Sequence, residues 1–502
     1  MKFVCTFVIF VSIFCLNVSA EEQNIGQAIQ IMAPVNHTFQ LQVNELKQIL
    51  EVANIKDRYV VVVSIAGAFR QGKSFLMNFF IKYLDAQYKK HNASDWLGET
   101  TNNSRLNGFK WRGGRKPETI GIWMWSDIFT HDFPNGDKIA IILLDTQGIF
   151  DYRSSVHDCT AIFALSMMLS SVQCYNLMHN IREDDLQHLQ LFTEYERLAI
   201  EQMNEKPFQK LLFIVRDWSY ESEIPYGNGH RLIDEVLAEN SDQTIEMQEL
   251  RQKIAMSFHE IGGFLLPTPG NIVVYSDSVN FTGDVQQVSP QFKKFVKELT
   301  LALFAPENLI IKQINGEKIR ARDVSQYLQA YTNIFNGNAL PKPKSILMAT
   351  AETSNSIFCD DCLRHYSDKM EQTLEAVDSY MTENELIELH EKTKNETLAQ
   401  FLEKPTLGGN KFRNTFQDKI KNGTEQRFLL IKGHNERKLK DFIERANLHN
   451  DRIGSELLAS VQKRILDEIE SSSPELSYSK LYDVLQSAVQ DALSDVCCTF
   501  YF

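Results

Sequence analysis

Runs of consecutive apolar residues recur through the first 300 positions of the chain, and helical patterns lie between them. The four clearest runs are Tyr59–Ile65, Ile139–Leu144, Leu211–Val215 and Ile272–Tyr275. Apolar runs without polar alternation are typical of strands that are buried on both faces of a parallel sheet. The pattern therefore predicts an α/β domain with a doubly wound, mainly parallel sheet.

The pattern changes near residue 305, beyond which only helical periodicity is evident. Val324, Leu328, Tyr331 and Phe335 recur along one helix face, and longer helical segments follow them. We expect no strand in this part of the chain and interpret it as an all-α helical bundle. The predicted limits are 30–305 for the α/β domain, 306–320 for a linker, 321–450 for the bundle and 451–502 for an amphipathic helical tail.

Residues 1–20 have the pattern of a secretory signal. Lys2 precedes an apolar run over Phe3–Leu16, and Val18-Ser19-Ala20 places small residues at a cleavage position. The run is shorter than the roughly 20 apolar residues that span a bilayer. A cleaved signal peptide is therefore favoured over a short N-terminal anchor.

A second uncharged stretch, Cys159–Met178, is long enough to span a bilayer. It contains several polar residues, among them Ser166, Ser170, Gln173 and Asn176. We therefore interpret it as a helix buried inside the α/β domain.

Composition excludes one class of partner and leaves one cysteine question open. The formal net charge is −13, which argues against nucleic-acid binding because that function needs a basic face.

Cys359 and Cys362 form a CxxC pair without a second ligand pair that would complete a zinc site. They are either two unrelated helix residues or, in an oxidising compartment, a local disulfide.

The strongest chemical signal is a phosphate-binding loop. Gly67–Ser74, with the sequence GAFRQGKS, fits the pattern GxxxxGK[ST] between an apolar run and a helical segment. The glycines allow backbone N–H groups to surround phosphates, and the following helix adds the positive end of its dipole. Lys73 is expected to reach the outer phosphates and Ser74 to bind Mg²⁺.

Two further motifs follow predicted strands. The motif Asp145-Thr146-Gln147-Gly148 follows the run Ile139–Leu144. An acidic residue at the end of such a strand lies beside the phosphate loop. We therefore expect Asp145 to hold Mg²⁺ through water and Gly148 to sense the γ-phosphate. Arg216-Asp217 ends the run Leu211–Val215, and the Asp217 carboxylate suits the N1–H and 2-amino donors of guanine. Taken alone, Arg216-Asp217 is better interpreted as a surface ion pair.

These motifs, together with WRGGRKPETIGIWMW (Trp111–Trp125), resemble the atlastin and guanylate-binding branch of the dynamin superfamily. Three further segments resemble the atlastins in particular: Asp184–Ala199, Pro306–Ile319 and Asn338–Glu352. The resemblance covers about residues 30–445 and implies a GTP-hydrolysing domain followed by a helical bundle. It also implies Mg²⁺ as the cofactor, a nucleotide-dependent homodimer and a location at the endoplasmic reticulum.

The resemblance assigns residue roles that spacing alone does not. Arg70, otherwise an ordinary surface arginine, matches an arginine finger that moves onto the phosphates when two G domains meet, and Thr119 matches the switch threonine that closes on Mg²⁺. The predicted catalytic residues are Arg70, Lys73 and Thr119, and the predicted metal ligands are Ser74, Thr119 and Asp145. The predicted nucleotide-binding residues are Gly67, Ala68, Phe69, Arg70, Gln71, Gly72, Lys73, Ser74, Phe75, Gly148, Arg216 and Asp217.

The sequence also departs from the atlastin pattern. Atlastins carry two membrane spans after their bundle, whereas this chain shows no such stretch there, and Gln71 replaces a lysine of the family's loop. Membrane contact is expected through the N-terminal segment or the C-terminal tail. The rival interpretation is a scaffold that dimerises with GTP without useful turnover.

The sequence favours secretory entry with the G domain in the lumen, over a cytosolic G domain as in the family. Lys2 lies before the apolar run and Glu21-Glu22 after it, which favours translocation of the rest of the chain. Potential glycosylation triplets give weaker support. They begin at Asn36, Asn92, Asn102, Asn280, Asn395 and Asn422.

Overall fold

The computed structural model describes residues 26–35, 38–100, 105–111, 119–148, 155–203, 205–275, 281–336, 340–404, 407–471 and 477–499. These residues form two compact units, one ending at Asn355 and the other beginning at Ser356. The predicted signal segment, residues 1–20, lies outside the described residues. Within those ranges, no helix has both the length and the hydropathy needed to cross a membrane.

The first unit is built on one large, mainly parallel sheet, as the apolar runs predict. Its strands in the described ranges are β1 (Ala28–Val35), β2 (Thr38–Leu41), β3 (Tyr59–Gly67), β4 (Ile122–Trp125), β5 (Phe129–Asp132), β6 (Lys138–Thr146), β7 (Val172–Met178), β8 (Phe208–Arg216) and β9 (Phe258–Leu265). The order across the sheet is β2-β1-β4-β6-β3-β7-β8-β9, and β5 also pairs with β6. Strands β6, β3, β7, β8 and β9 are parallel, and the others join antiparallel.

Helices connect these strands, and most of the chain after residue 320 is also helical. Those of the first half are α1 (Val43–Leu50), α2 (Lys73–Leu84), α3 (Val156–Leu169), α4 (Glu183–Gln187), α5 (Gln190–Met203), α6 (Gly229–Leu237), α7 (Ile245–Ser257), α8 (Asn271–Tyr275) and α9 (Pro290–Phe304). Those that follow are α10 (Ala321–Phe335), α11 (Pro343–Glu375), α12 (Glu383–Glu403), α13 (Asn410–Ser471) and α14 (Tyr478–Thr499). A π-helical turn, Asp85–Lys89, extends α2, and 3₁₀ turns lie at Val285–Gln287 and Pro306–Asn308.

The strand predicted at Ile272–Tyr275 is wrong, because these residues form the short helix α8. The outermost parallel strand is β9, which pairs with β8 in parallel register. Its sequence, FHEIGGFL, interrupts the apolar run with charged and small residues. An edge strand tolerates such residues because only one of its sides is covered by the sheet.

Two further expectations also fail. The stretch Cys159–Met178 is not one helix, because α3 ends at Leu169 and the chain returns as strand β7. The expectation of no strand beyond residue 305 is wrong as well: β10 (Gln313–Ile314) and β11 (Glu317–Lys318) form a small hairpin. Asn315 and Gly316 both have positive φ in its turn, as an Asn-Gly hairpin turn requires.

The sheet is covered by helices on its faces, so that the site-bearing strands are held rigidly. Val61, Val63 and Ile65, on alternate positions of β3, pack in one core with apolar residues of α2 and α9. The second unit has its own core, where Cys359 and Cys362 of α11 pack against Phe401 and Phe416. Both cysteines are buried free thiols.

Candidate functional site

The phosphate loop joins β3 to α2 at the carboxyl end of a central strand, which is where open α/β sheets bind ligands. Its two invariant motif glycines are required by geometry. Gly67 and Gly72 have φ of +146° and +69°, and Gly72 lies directly before the first residue of α2. A side chain at Gly67 would place its Cβ 2.1 Å from the Asn176 carbonyl oxygen. The motif therefore adopts the conformation that its sequence predicts.

Lys73 lies under the loop rather than in solvent. Its side chain is buried, and Nζ donates a hydrogen bond to the Ala68 carbonyl oxygen at 3.2 Å. Burial lowers the pKa of Lys73 to about 8, and the nearby Asp145 opposes this effect. The ammonium group is thus folded back onto the loop that it is expected to leave for a phosphate.

The structure brings the three predicted metal ligands together. Ser74 Oγ donates to Asp145 Oδ2 at 2.6 Å, and Thr119 Oγ1 donates to the same oxygen at 3.2 Å. The two hydroxyl oxygens are 3.2 Å apart. Burial raises the pKa of Asp145 to about 6, against the hydrogen bond from Ser74 and the charge of Lys73.

The other carboxylate oxygen supports a cation site at this position. Asp145 Oδ1 is fully buried and accepts no hydrogen bond from any described residue, an arrangement that is costly unless a ligand or water completes it. Hydroxyl and carboxylate oxygens are the hard donors that Mg²⁺ prefers. The residues present therefore fit the metal that the sequence predicts.

Arg70 has a backbone and a surface setting unlike those of its neighbours. It has a φ of 62° and is exposed, with its guanidinium carbon 5.6 Å from the centre of the Phe69 ring. No described residue accepts a hydrogen bond from it. The cation is thus available to a group outside this chain's described structure.

The segment before β4, which contains Gly121, contacts the segment after β6, which contains Gln147 and Gly148, and the latter also contacts the phosphate loop. Gly148 lies so close to Phe69 that a Cβ there would be 2.3 Å from the Phe69 Cα. Gln147 and Gly121 are joined by two hydrogen bonds, from Gly121 N to Gln147 Oε1 and from Gln147 N to the Gly121 carbonyl, both at 2.8 Å. Residues 112–118 and 149–154 are outside the described ranges.

Phe75, counted among the predicted nucleotide-binding residues, has its side chain in the core beneath the loop. Its ring contacts those of Phe79, Trp111, Phe281 and Phe292. Its side chain therefore packs the first turn of α2 against the core.

The Arg216-Asp217 pair divides between two parts of the site. Arg216, at the end of β8, is buried and donates from Nη1 to the Gln71 carbonyl of the phosphate loop at 2.7 Å. Asp217, the next residue, has a positive φ of 52°. Its Oδ1 is a buried acceptor without a hydrogen-bond donor among the described residues, as a guanine-binding carboxylate would be before the base arrives.

Sequence reasoning missed Asn176 as a site residue. It lies in β7, and its Nδ2 donates to the same Gln71 carbonyl at 3.0 Å. The signal was present, because Asn176 is a polar residue near the end of a buried apolar run. It was obscured when that run was interpreted as a helix.

Comparison with known proteins identifies the family of the chain. The family model "Guanylate-binding protein, N-terminal domain" matches residues 36–313, and "Guanylate-binding protein, C-terminal domain" matches residues 314–451. Atlastin of Drosophila melanogaster is 47% identical over 416 residues, which cover 82% of this chain and 76% of that protein.

Vertebrate relatives match over a similar extent. Human Atlastin-2 is 43% identical over 80% of this chain and 68% of its own length. Bovine Atlastin-1 is 40% identical over 84% of this chain and 75% of its own length. The chain belongs to the guanylate-binding protein family of the dynamin superfamily, and within that family it is an atlastin-like GTPase, a hydrolase acting on GTP.

Proposed function

We propose that the chain binds GTP at the carboxyl ends of β3, β6 and β8 and hydrolyses it with Mg²⁺. One observation carries this proposal. Ser74 Oγ, Thr119 Oγ1 and Asp145 Oδ2 all lie within 3.2 Å of one another, beside the buried Lys73. Convergence of hydroxyls, a carboxylate and a lysine below a phosphate loop suits a nucleoside triphosphate with a divalent cation.

The cation would be held by Ser74 Oγ, Thr119 Oγ1 and Asp145, directly or through water. When bound, Mg²⁺ neutralises charge on the β- and γ-phosphate oxygens. Because Ser74 and Thr119 both donate to Asp145 Oδ2, their hydroxyls are already oriented toward one point.

Hydrolysis requires a water oxygen to bond to the γ-phosphorus while the bond from that phosphorus to the β–γ bridging oxygen breaks, giving GDP and phosphate. Negative charge shifts toward the bridging oxygen as this happens. Lys73 would leave the Ala68 carbonyl to bind the outer phosphate oxygens. Arg70 would add a second cation as a rigid guanidinium fork, stabilising the transition state more than the bound ground state.

Guanine would be recognised by Asp217. A carboxylate accepts from both the N1–H and the 2-amino group of guanine, whereas adenine lacks that donor pair. Asp217 Oδ1 is buried and accepts no hydrogen bond from a described residue, which supports this role.

We further propose that GTP binding pairs two copies through their G domains and that hydrolysis moves the helical bundle, in membrane tethering or remodelling at the endoplasmic reticulum. The exposed Arg70 supports pairing, because its guanidinium donates no hydrogen bond to a described residue and is accessible to a second copy. The alternative is a GTP-dependent dimerising scaffold in the secretory lumen, without membrane fusion. Turnover separates the two functions.

We propose entry into the secretory pathway through residues 1–20. Asn92, Asn395 and Asn422, each the start of a glycosylation triplet, are exposed; the other triplets begin outside the described residues. Expression of the full chain followed by endoglycosidase treatment should give a mobility shift. An unglycosylated chain that retains Met1–Ala20 and is cleaved by protease outside intact microsomes would return the G domain to the cytosolic face.

The proposed reaction is tested by phosphate release from GTP by the purified chain, with Mg²⁺ and with a chelator. We expect release that depends on the cation and on protein concentration, since pairing is second order. Binding of GTP without measurable release would favour the scaffold. A slowly hydrolysed GTP analogue should raise the molar mass in solution, and an unchanged mass would refute nucleotide-dependent pairing.

A further inference from the structure

The carbonyl oxygen of Gln71 accepts side-chain hydrogen bonds from two different strands. Asn176 Nδ2 of β7 lies at 3.0 Å and Arg216 Nη1 of β8 at 2.7 Å. Both donors are buried, Asn176 completely and Arg216 to 95%, and both stand on the parallel sheet. One peptide of the phosphate loop is therefore held by the rigid part of the domain.

The loop is shaped to accept both donors. A Cβ at Gly72 would be 1.9 Å from Arg216 Nη1, and one at Gly67 would be 2.1 Å from the Asn176 carbonyl oxygen. The two motif glycines thus allow close approach of Arg216 and Asn176, besides providing positive φ. The Arg216 guanidinium carbon also lies 5.9 Å from the centre of the Phe292 ring of α9.

The orientation of this peptide matters for phosphate binding. In a trans peptide the carbonyl and the following N–H point in opposite directions, and the structure has no cis peptide among the described residues. Holding the Gln71 carbonyl toward β7 and β8 therefore directs the Gly72 N–H away from them. If the peptide were reversed, an oxygen would face the phosphate oxygens in place of a donor, and the two would repel.

We propose that Asn176 and Arg216 form a clamp on the Gln71–Gly72 peptide and position the phosphate loop for a nucleotide, whatever its base. This proposal rests on the proposed function, since GTP must bind at this loop. It makes Arg216 a positioning residue of the phosphate end and leaves base recognition to Asp217. The two halves of the Arg216-Asp217 pair then have separable effects.

The test is to measure affinities of the full chain for GTP, GDP and xanthosine triphosphate (XTP). Arg216→Met and Asn176→Leu should each weaken all three by about tenfold to a hundredfold, the range for loss of a buried hydrogen bond to a charged or polar partner. The ratio of GTP to XTP affinity should stay at its wild-type value. Asp217→Asn should do the reverse: it should change the ratio of GTP to XTP affinity, because it alters the contact with the base and leaves the phosphate contacts in place.

Arg231→Met is the matched control, because Arg231 is an exposed arginine of α6 that pairs with Glu235. It should leave all three affinities unchanged. Thermal unfolding of the nucleotide-free variants shows whether each is folded. If Arg216→Met does not fold, Asn176→Leu, which is nearly isosteric, decides the outcome.

Two results would overturn the clamp. One is a fall in the GTP to XTP ratio in Arg216→Met, which would make Arg216 a base ligand. The other is wild-type affinity for all three nucleotides in the folded clamp variants. Failure of the proposed function itself has a different signature, since the wild-type chain would then bind none of the nucleotides.

Discussion

At the phosphate end of the site, one continuous stretch of chain supplies the loop, Lys73 and Ser74. Separate segments bring Thr119 and Asp145 to the same place. At the base end, the proposed specificity depends on one side chain, that of Asp217 at the tip of β8. The phosphate end is buried and has perturbed pKa values at Lys73 and Asp145, whereas the base end presents a single buried acceptor. We therefore expect that substitutions at the phosphate end change binding and turnover without changing base preference, and that substitutions at Asp217 do the reverse.

The largest expected effect comes from Lys73→Ala. It removes the cation that is positioned for the outer phosphates, and we expect no measurable GTP binding in an equilibrium titration. Lys253→Ala, at a partly exposed lysine paired with Glu249 on α7, is the control and should bind as wild type. Tight binding by folded Lys73→Ala would contradict the assignment of the phosphate loop.

A smaller but still large effect is expected for Arg70→Ala, and it should appear in turnover alone. The loss should be about 10³-fold or more, the scale of arginine fingers. GTP affinity should stay near wild type, because the exposed guanidinium donates no hydrogen bond to any residue that the structure describes. Phosphate release under saturating GTP measures this. Equal turnover in wild type and Arg70→Ala would exclude a role for this residue in chemistry.

The phosphate loop could be predicted from the sequence because Gly67–Ser74 is contiguous and its two glycines provide the positive φ values that the loop needs. The runs that became β3, β6 and β8 are long, apolar and uninterrupted, so that they too were predictable. Tyr59–Ile65 is the clearest case. Length and apolar content were sufficient there because the strands lie in the middle of the sheet.

The remainder was hidden for physical reasons. Four apolar residues at Ile272–Tyr275 do not distinguish a strand from a helical turn, and polar residues in β9 conceal an edge strand. The contacts of Arg216 and Asn176 with Gln71 depend on three segments far apart in sequence. No local sequence pattern predicts such long-range contacts, although our assignment of Arg216 to the phosphate end depends on them.

A more modest effect is expected at Lys312, in the segment after α9. It is buried, donates from Nζ to the Ser170 carbonyl at 2.9 Å at the end of α3, and burial lowers its pKa to about 7. The unfolded chain binds this proton up to about pH 10.4, so stability should rise with pH above about 7 through this group. The slope is at most about 1.4 kcal/mol per pH unit.

Lys312→Met removes this titration. Thermal unfolding of wild type and variant at pH 7, 8 and 9 should therefore give midpoints whose difference changes with pH in favour of wild type. A constant difference across this range would show that Lys312 does not titrate in the folded chain.

The separation of the two ends is tested most directly by kcat and KM for phosphate release from GTP and from XTP, in wild type and Asp217→Asn. Replacing the acceptor oxygen by an amide should raise KM for GTP and lower KM for XTP. The account predicts that Asp217→Asn hydrolyses XTP with a kcat close to that of wild type on GTP, because the phosphate end is unchanged. A variant that loses kcat on both nucleotides, with no change in their relative KM, would contradict it.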